Sequence, residues 1–291
     1  MRALVLATAL LLSASACADV AGLDRFQKRA VAESASTGVE FFSLRTTFIG
    51  MRPHVGQLVE YRVVDGNNFV QSRGVIKAIP MSGDVTLLAK RAIPRVNGPY
   101  RLDFYADVNF SGGFDGIGSV IANDHAWRMD PLVDNAKLQQ LRADDLVEVK
   151  FTHSTSFTNI DHYPSGTKNP ANDTGLGAAI HVVGLDEFIG KMLQARITEH
   201  LTQHVVGLYR TVRIDTPVVD AVVPGCVDLD TEYDVDVYID ANGNESYDNP
   251  ASEGGDRGFI LSATSAVNGL DLTLDVRSPG AGDGKVDVGE P

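Results

Sequence analysis

The chain of 291 residues carries 38 acidic and 25 basic residues and therefore a formal net charge of −13. This negative balance disfavours nucleic acid and anionic membrane surfaces as partners, and it suits cation binding and solubility. The length is sufficient for two modest domains.

The first 16 residues predict a secretory signal peptide. One cation, Arg2, precedes an apolar stretch too short to span a bilayer, and small residues then lead to Cys17. Ala14, Ser15 and Ala16 resemble the bacterial lipobox, although that motif usually has leucine where Ala14 stands. The resemblance implies that Cys17 is lipidated and anchors the mature chain to a membrane; ordinary cleavage beside a free Cys17 is the alternative. Loss of Arg2 leaves 24 basic against 38 acidic residues, a charge of about −14.

We expect residues 17–38 to form a tether. Beyond them, short runs of Val, Ile, Leu, Tyr and Phe are separated by Gly, Pro, Asn and Asp, a pattern typical of an all-β chain. The strands predicted in the first half are 40–51, 57–65, 73–80, 84–93, 100–107, 125–131 and 146–153. Seven short strands suit one β-sandwich, which we assign to residues 39–157.

A stretch rich in Pro, Asn and Gly then interrupts the strand pattern and predicts a linker over residues 158–177. The strands predicted after it are 178–188, 205–214, 217–223, 233–240, 257–263 and 269–276. They define a second β-sandwich over residues 178–278. The glycine-rich end, 279–291, is predicted to be a flexible tail.

Ordered matches between the two halves indicate an internal duplication. DFYADVN in the first half recurs as DVYIDAN in the second, and the other matches follow in the same order. The matched segments are 48–50 with 188–190, 54–55 with 204–205, 103–109 with 236–242, 114–115 with 247–248, and 124–127 with 256–259. We therefore predict two tandem β-sandwich domains, Ig-like or transthyretin-like, that arose by duplication.

The loop DANGNESYD at 240–248 carries oxygen-bearing side chains at alternate positions. Such side chains can wrap around one hard cation while glycine lets the chain curl, so the loop predicts a Ca²⁺ site. The expected ligands are Asp240, Asn242, Asn244 and Asp248, with Asp236 on the preceding strand and Asp256 on the following one.

The first half repeats this spacing at 107–115. The expected ligands there are Asp107, Asn109, Ser111 and Asp115, with Asp103 and Asp124 as outer or closing ligands. Ser111 replaces Asn244, so we expect this site to be the weaker one. Gly243 lies one place earlier than the EF-hand glycine and no helix pattern flanks either loop, which excludes an EF-hand. The alternative is a pair of metal-free Asx-turns; a bound ion would be structural.

Two histidines are candidates for a second kind of metal site. His200 and His204 have the spacing of ligands on a helix but lack the glutamate of the HExxH motif, and the match of His204 with His54 favours a shared structural role. The sequence has no nucleophile elbow, phosphate loop or dinucleotide-binding glycine pattern. Cys226 lacks a basic partner and is interpreted as a buried apolar side chain, and Trp127 as a core residue rather than a ligand platform.

The segments HVGQ at 54–57, DFYAD at 103–107 and DHAWR at 124–128 resemble a group of uncharacterised secreted lipoproteins from myxobacteria and their relatives. The resemblance implies tandem sandwiches on a cell surface and brings no known activity. We therefore expect a lipoprotein of the cell envelope, held at the outer membrane, whose Ca²⁺-stabilised modules serve adhesion, scaffolding or binding of a protein or polysaccharide partner without catalysis. The alternatives are an envelope hydrolase with a metal on His200, His204 and nearby carboxylates, and a purely structural, metal-free pair of sandwiches.

Overall fold

The computed structural model describes residues 39–96, 98–117, 123–142, 145–160, 176–244, 247–250, 252, 255–278 and 284–288. The expected signal peptide, the lipidation site Cys17, the tether and residues 161–175 of the expected linker lie outside these ranges. Within them, no helix has the length and apolar character needed to cross a membrane.

The described chain is almost entirely β-structure, which confirms the all-β prediction. The first half contains β1 (Phe41–Ile49), β2 (Val59–Val64), β3 (Val70–Ile76), β4 (Val85–Pro94), β5 (Tyr100–Ala106), β6 (His125–Val133), the helical turn α1 (Asn135–Leu138) and β7 (Leu146–Thr152). The second contains β8 (Leu176–Val183), β9 (Leu193–Glu199), β10 (Val205–Thr211), β11 (Val218–Val227), β12 (Glu232–Ile239), β13 (Arg257–Thr264) and β14 (Leu270–Asp275).

Every strand predicted in the first half is present, whereas β9 in the second half was missed. Its apolar residues Leu193, Ala195 and Ile197 alternate as a strand requires, but Gln194 and Arg196 between them are buried as well. A strand buried on both faces usually consists of a continuous run of apolar residues. In β9 the residues of one buried face are polar, so the sequence lacks that run and does not predict the strand.

The strands form one large sheet and two small ones. The large sheet has the order β13-β12-β9-β10-β3-β2-β5-β6, and the small sheets have the orders β4-β1-β7 and β11-β8-β14. In each small sheet the last strand of the half pairs parallel to the first. The two halves meet where β3 pairs parallel to β10, so they share one continuous sheet, which the sequence analysis did not anticipate.

The two small sheets cover opposite faces of the large one. At the seam, neighbouring residues on β3 alternate between the cores: Val75 packs in the core of the second half and Ile76 in that of the first. On β10 the alternation is the same, since Tyr209 lies in the second core and Leu208 in the first. Because successive side chains of a strand point to opposite faces, each half has its sandwich partner on its own side of the shared sheet.

A repeated backbone feature corrects two of the sequence matches. After β1, left-handed glycines Gly50 and Gly56 flank a 3-10 turn that ends at His54. After β8, left-handed Gly184 and Gly190 flank the corresponding turn, Asp186–Phe188. His54 therefore corresponds to Phe188 rather than to His204, and segment 188–190 is not the counterpart of 48–50. The repeated strand order fits a duplication, which itself stays a prediction.

The chain after the last strand of each half folds back onto the large sheet. In the first half the N–H of Thr158 donates to the carbonyl of Ala126, and Ile160 is fully buried. In the second, the N–H of Val286 donates to the carbonyl of Gly258. Val288 is buried in the same way as Ile160. Residues 284–288 are thus docked rather than part of a flexible tail, because a buried aliphatic side chain holds them.

Side-chain contacts reinforce the seam. His204 of the second half stacks on Phe41 of the first, with ring centroids 4.8 Å apart. Arg91, at a positive φ of 52° in β4, donates from Nε to the carbonyl of Gln203 at 3.0 Å. Burial, opposed in part by a hydrogen bond with the Ala92 backbone, lowers the pKa of His204 to about 4. His204 is therefore a neutral packing residue between the halves.

A buried ionic cluster lies beside the seam. Glu60 accepts from Arg62 Nε at 2.8 Å and from Arg73 Nη1 at 3.1 Å, and the Tyr105 hydroxyl donates to its other oxygen at 3.0 Å. Burial alone would raise the pKa of Glu60, but the two guanidinium groups outweigh it and hold that pKa below its usual value. The carboxylate thus remains charged, as a buried ion needs paired partners.

Candidate calcium-binding loops

Both predicted loops leave the same end of the large sheet. β5 is antiparallel to β2 and β2 is antiparallel to β3, so β5 and β3 run in the same direction. Likewise β12 is antiparallel to β9 and β9 is antiparallel to β10, so β12 and β10 run in the same direction. Since β3 and β10 are parallel, β5 and β12 point the same way. Five strand spacings separate them, about 24 Å at about 4.8 Å per strand. One end of the shared sheet therefore carries both loops side by side.

The second loop is organised around Asp240, which is 1% exposed. Its Oδ1 accepts from the N–H of Gly243 at 2.7 Å and from that of Asn244 at 3.2 Å. The side-chain amides of Asn242 and Asn244 both donate to Asp248 Oδ2 at 2.7 Å. These four expected ligands are thus gathered in one tight turn.

Asp256 closes the second loop from the start of β13. It is fully buried and accepts from the N–H of Ala241 at 3.0 Å and from that of Asp248 at 2.9 Å. The hydroxyl of Tyr238 donates to the same carboxylate at 2.5 Å. Asp256 therefore ties both ends of the loop to the neighbouring strands, as the closing role requires.

The first loop repeats the arrangement. Asp107, 2% exposed, accepts from the N–H of Ser111 at 3.0 Å and from that of Gly112 at 2.8 Å. The side-chain amide of Asn109 donates to Asp115 Oδ2 at 2.7 Å. Asp124 accepts from the N–H of Val108 at 3.0 Å and from that of Asp115 at 2.8 Å.

Two carboxylates of the first loop, Asp115 and Asp124, differ in their electrostatics. Burial, together with the charges of Asp107 and Asp115, raises the pKa of Asp124 to about 6 although two backbone N–H groups oppose the rise. Hydrogen bonds from Asn109 and then Ser111 lower the pKa of Asp115. A positive charge near Asp124 would relieve the repulsion that contributes to its raised pKa, and a divalent cation supplies such a charge.

The donor set suits a hard cation, but its oxygens are engaged with the backbone. Carboxylate and amide oxygens are the ligands Ca²⁺ prefers, and both loops offer them at alternate positions. In the part of the chain that is described, no three or more His, Cys, Asp or Glu side chains are arranged as a group to hold a metal ion. A carboxylate can accept these N–H groups and still coordinate an ion, because its two oxygens offer about four lone-pair sites, so the backbone contacts order the loops without excluding Ca²⁺.

Two expected ligands lie elsewhere. Asp103 forms a two-pronged ion pair with Arg128 at 2.7 and 2.9 Å, and Asp236 pairs with Arg196 at 2.6 Å. Both carboxylates are buried within the large sheet, on strands rather than in the loops. Guanidinium partners already balance their charge, so Asp103 and Asp236 leave the candidate ligand set.

The alternative histidine site is not formed. Residues 200–204 form a turn between β9 and β10, so the helical spacing of ligands does not arise. His200 Nδ1 lies 2.8 Å from Asp234 Oδ2, whereas His204 is buried against Phe41. Cys226 packs beside the second core, where burial raises its pKa to about 12 and so disfavours a nucleophilic thiolate.

A group of side chains that the sequence analysis missed lies near the first loop. His54, His125 and His153 converge around Trp127, with ring centroids of His54 within 5.1 Å of both other imidazoles. His153 follows the last strand of its half and carries no motif with the others. Only the parallel pairing of β7 with β1 brings it to His54.

No protein-family model matches the chain, and no curated protein matches it. Among solved structures, similarity is found to a putative adhesin from Bacteroides ovatus, with a TM-score of 0.18, 11% identity and coverage of 84% of this chain and 90% of that one. The fimbrial anchor protein Mfa2 from Porphyromonas gingivalis is similar with a TM-score of 0.23, 11% identity and coverage of 71% of this chain and 81% of that one. The shaft pilin SpaA from Lactobacillus rhamnosus GG is similar with a TM-score of 0.16, 10% identity and coverage of 81% of this chain and 96% of that one. At such TM-scores these similarities carry no argument about the chain.

Proposed function

We propose that the chain is an exported, non-catalytic protein of a bacterial cell envelope, anchored through Cys17, that presents one end of a rigid β-sheet body to a protein or polysaccharide partner. The observation that carries the proposal is the emergence of both acidic loops from the same end of one continuous sheet. The parallel seam fixes the two loops relative to each other. A partner can therefore contact both loops at once.

Ca²⁺ completes the proposed binding end. The ion would bind Asp107 and Asp240, which backbone N–H groups already position, and draw the exposed asparagines around it. Modules that work outside cells bind Ca²⁺ with dissociation constants of about 10⁻⁴ to 10⁻³ M. Loops in which asparagine amides donate to Asp115 and Asp248 before an ion arrives fit this weak range. Its role is to order the loops, since binding to the folded state alone stabilises that state.

The export and anchoring parts are tested in cells. The full chain and its Cys17→Ser variant are expressed in a Gram-negative host and followed by palmitate labelling, fractionation and surface protease treatment. We expect the wild type to be labelled and membrane-bound, and the variant to be unlabelled and released. A full chain that remains in the cytoplasm, or a variant that fractionates as the wild type does, contradicts the proposed anchor.

The binding end is tested by attachment of cells that display the chain. Asp240→Ala and Asp107→Ala together are expected to reduce Ca²⁺-dependent attachment to envelope polysaccharide or whole cells. The matched control is Asp215→Ala, which removes an exposed carboxylate outside the loops. Equal attachment by the loop variant and the control, with no effect of a chelator, would show that the loops do not form the binding end.

A further inference from the structure

Three imidazoles meet at one corner of the first half. His54 ends the 3-10 turn after β1, His125 begins β6, and His153 follows the last residue of β7. The N–H of His153 donates to the carbonyl of Ile49, which fixes its backbone beside the turn. His54 is 1% exposed, while His125 and His153 are half-buried, so the corner is open to solvent on one side.

Both ring nitrogens of His54 are engaged. Nδ1 lies 2.7 Å from the side-chain oxygen of Gln57, and Nε2 lies 3.2 Å from Nε2 of His153. Donation from Nδ1 to the Gln57 oxygen leaves His54 Nε2 with its lone pair exposed toward His153. His125 stacks on Phe157 at a centroid distance of 4.0 Å, and its Nδ1 is buried without a hydrogen-bond partner.

The separation of the two Nε2 atoms is that of two ligands on one metal ion. Nitrogens held about 2.0–2.1 Å from a tetrahedral zinc ion lie about 3.3 Å apart. A histidine ligand usually donates its other ring N–H to an oxygen acceptor, which orients the ring, and Gln57 supplies that acceptor for His54.

The fold does not require histidines at this corner. The second half has other residues at the corresponding positions: Phe188 corresponds to His54, Arg257 to His125 and Val276 to His153. The correspondence is exact in the backbone, since the N–H of Val276 donates to the carbonyl of Val183 as His153 does to Ile49. The second half thus forms the same corner without an imidazole.

We propose that His54 and His153 bind a divalent transition ion of the zinc type through their Nε2 atoms, with water completing the coordination. The proposed site uses other ligands than the acidic loops, because imidazole suits zinc whereas carboxylate and amide oxygens suit Ca²⁺. It is also separate from the rejected pair His200 and His204. Burial and the neighbouring imidazoles lower the pKa of His54, which keeps this ligand neutral and able to bind.

The test uses the mature chain with Zn²⁺ and Co²⁺ as probes, in millimolar Ca²⁺ so that the acidic loops do not compete. Calorimetry is expected to give one Zn²⁺ per chain, and Co²⁺ to give visible absorption bands of nitrogen ligation. His153→Gln changes the half-exposed ligand and is expected to abolish this binding. Gln57→Ala leaves both ligands in place and is expected to weaken Zn²⁺ binding roughly tenfold.

His200→Gln is the matched control, because it removes a half-buried imidazole of the other half and is expected to leave Zn²⁺ binding unchanged. Circular dichroism checks that each variant is folded. Absence of stoichiometric Zn²⁺ binding by the wild type overturns the proposal, since the 3.2 Å contact is then only a hydrogen bond between neutral rings. Stoichiometric Zn²⁺ binding that survives His153→Gln overturns it as well.

Discussion

Replacement of Gly74 by alanine tests the packing of the shared sheet. Gly74 on β3 lies opposite Tyr61 on β2, and the Tyr61 ring covers the glycine. A Cβ atom at Gly74 would lie 2.0 Å from Tyr61 Cε1 and 2.3 Å from Cζ. The ring is 1% exposed within the first core, so it can move only by displacing its neighbours.

Overpacking of this kind destabilises a core by about 1–3 kcal/mol. The clash is with a ring rather than a flexible chain end, so we expect the free energy of unfolding to fall by an amount near the upper part of that range. In a chain of this size, each 2 kcal/mol lost lowers Tm by about 4–8 °C. Urea denaturation and a thermal melt measure it. Gly113→Ala is the control, because no heavy atom lies within 4 Å of the added methyl group. A loss below about 0.5 kcal/mol, or one equal to that of the control, would refute the packing of Tyr61 on Gly74.

Two further expectations concern pH. The folded-state pKa of His204, about 4, lies below its unfolded value of 6.5, so the free energy of unfolding should decrease as the pH falls from 6.5 to 4, by as much as about 3 kcal/mol. The variant His204→Gln should flatten this part of the profile of stability against pH. An unchanged profile in the variant would contradict the expectation. The folded-state pKa of Asp124, about 6 without Ca²⁺, lies above its ordinary value of 3.8. Protonation of Asp124 therefore stabilises the Ca²⁺-free fold fully at a pH below 3.8, and this contribution is lost as the pH rises through 6. Since Ca²⁺ needs the ionised carboxylate, calorimetric Ca²⁺ affinity at the first loop should fall as the pH drops below 6, and a pH-independent affinity would exclude Asp124 as a ligand.

The strands were predictable where apolar residues alternate with polar ones. The strand β4, with Val85, Leu87 and Ala89 buried on one face, is an example that the sequence located to within one residue. β9 was missed because the polar residues Gln194 and Arg196 are buried as well, and the ionic partner that balances Arg196, Asp236, comes from another strand, which no local pattern reports.

The candidate site was predictable only in its local part. The spacing of Asp240, Asn242 and Asn244 lies within one turn, so the sequence sufficed to bring these side chains together. The pairing of Asp236 with Arg196 depends on two strands 40 residues apart, and it could not be read from the spacing of the loop. The seam between β3 and β10 and the corner containing His153 depend on tertiary pairing in the same way.

Ca²⁺ titration of the chelator-treated mature chain, by calorimetry and thermal melting, tests the central claim most directly. We expect two sites and a rise in Tm with Ca²⁺. The tighter site should be lost in Asp240→Ala and the weaker site in Asp107→Ala, while Asp215→Ala should retain both. A wild-type chain that shows neither binding heat nor a change in Tm at millimolar Ca²⁺ would establish the loops as metal-free Asx-turns and contradict the account.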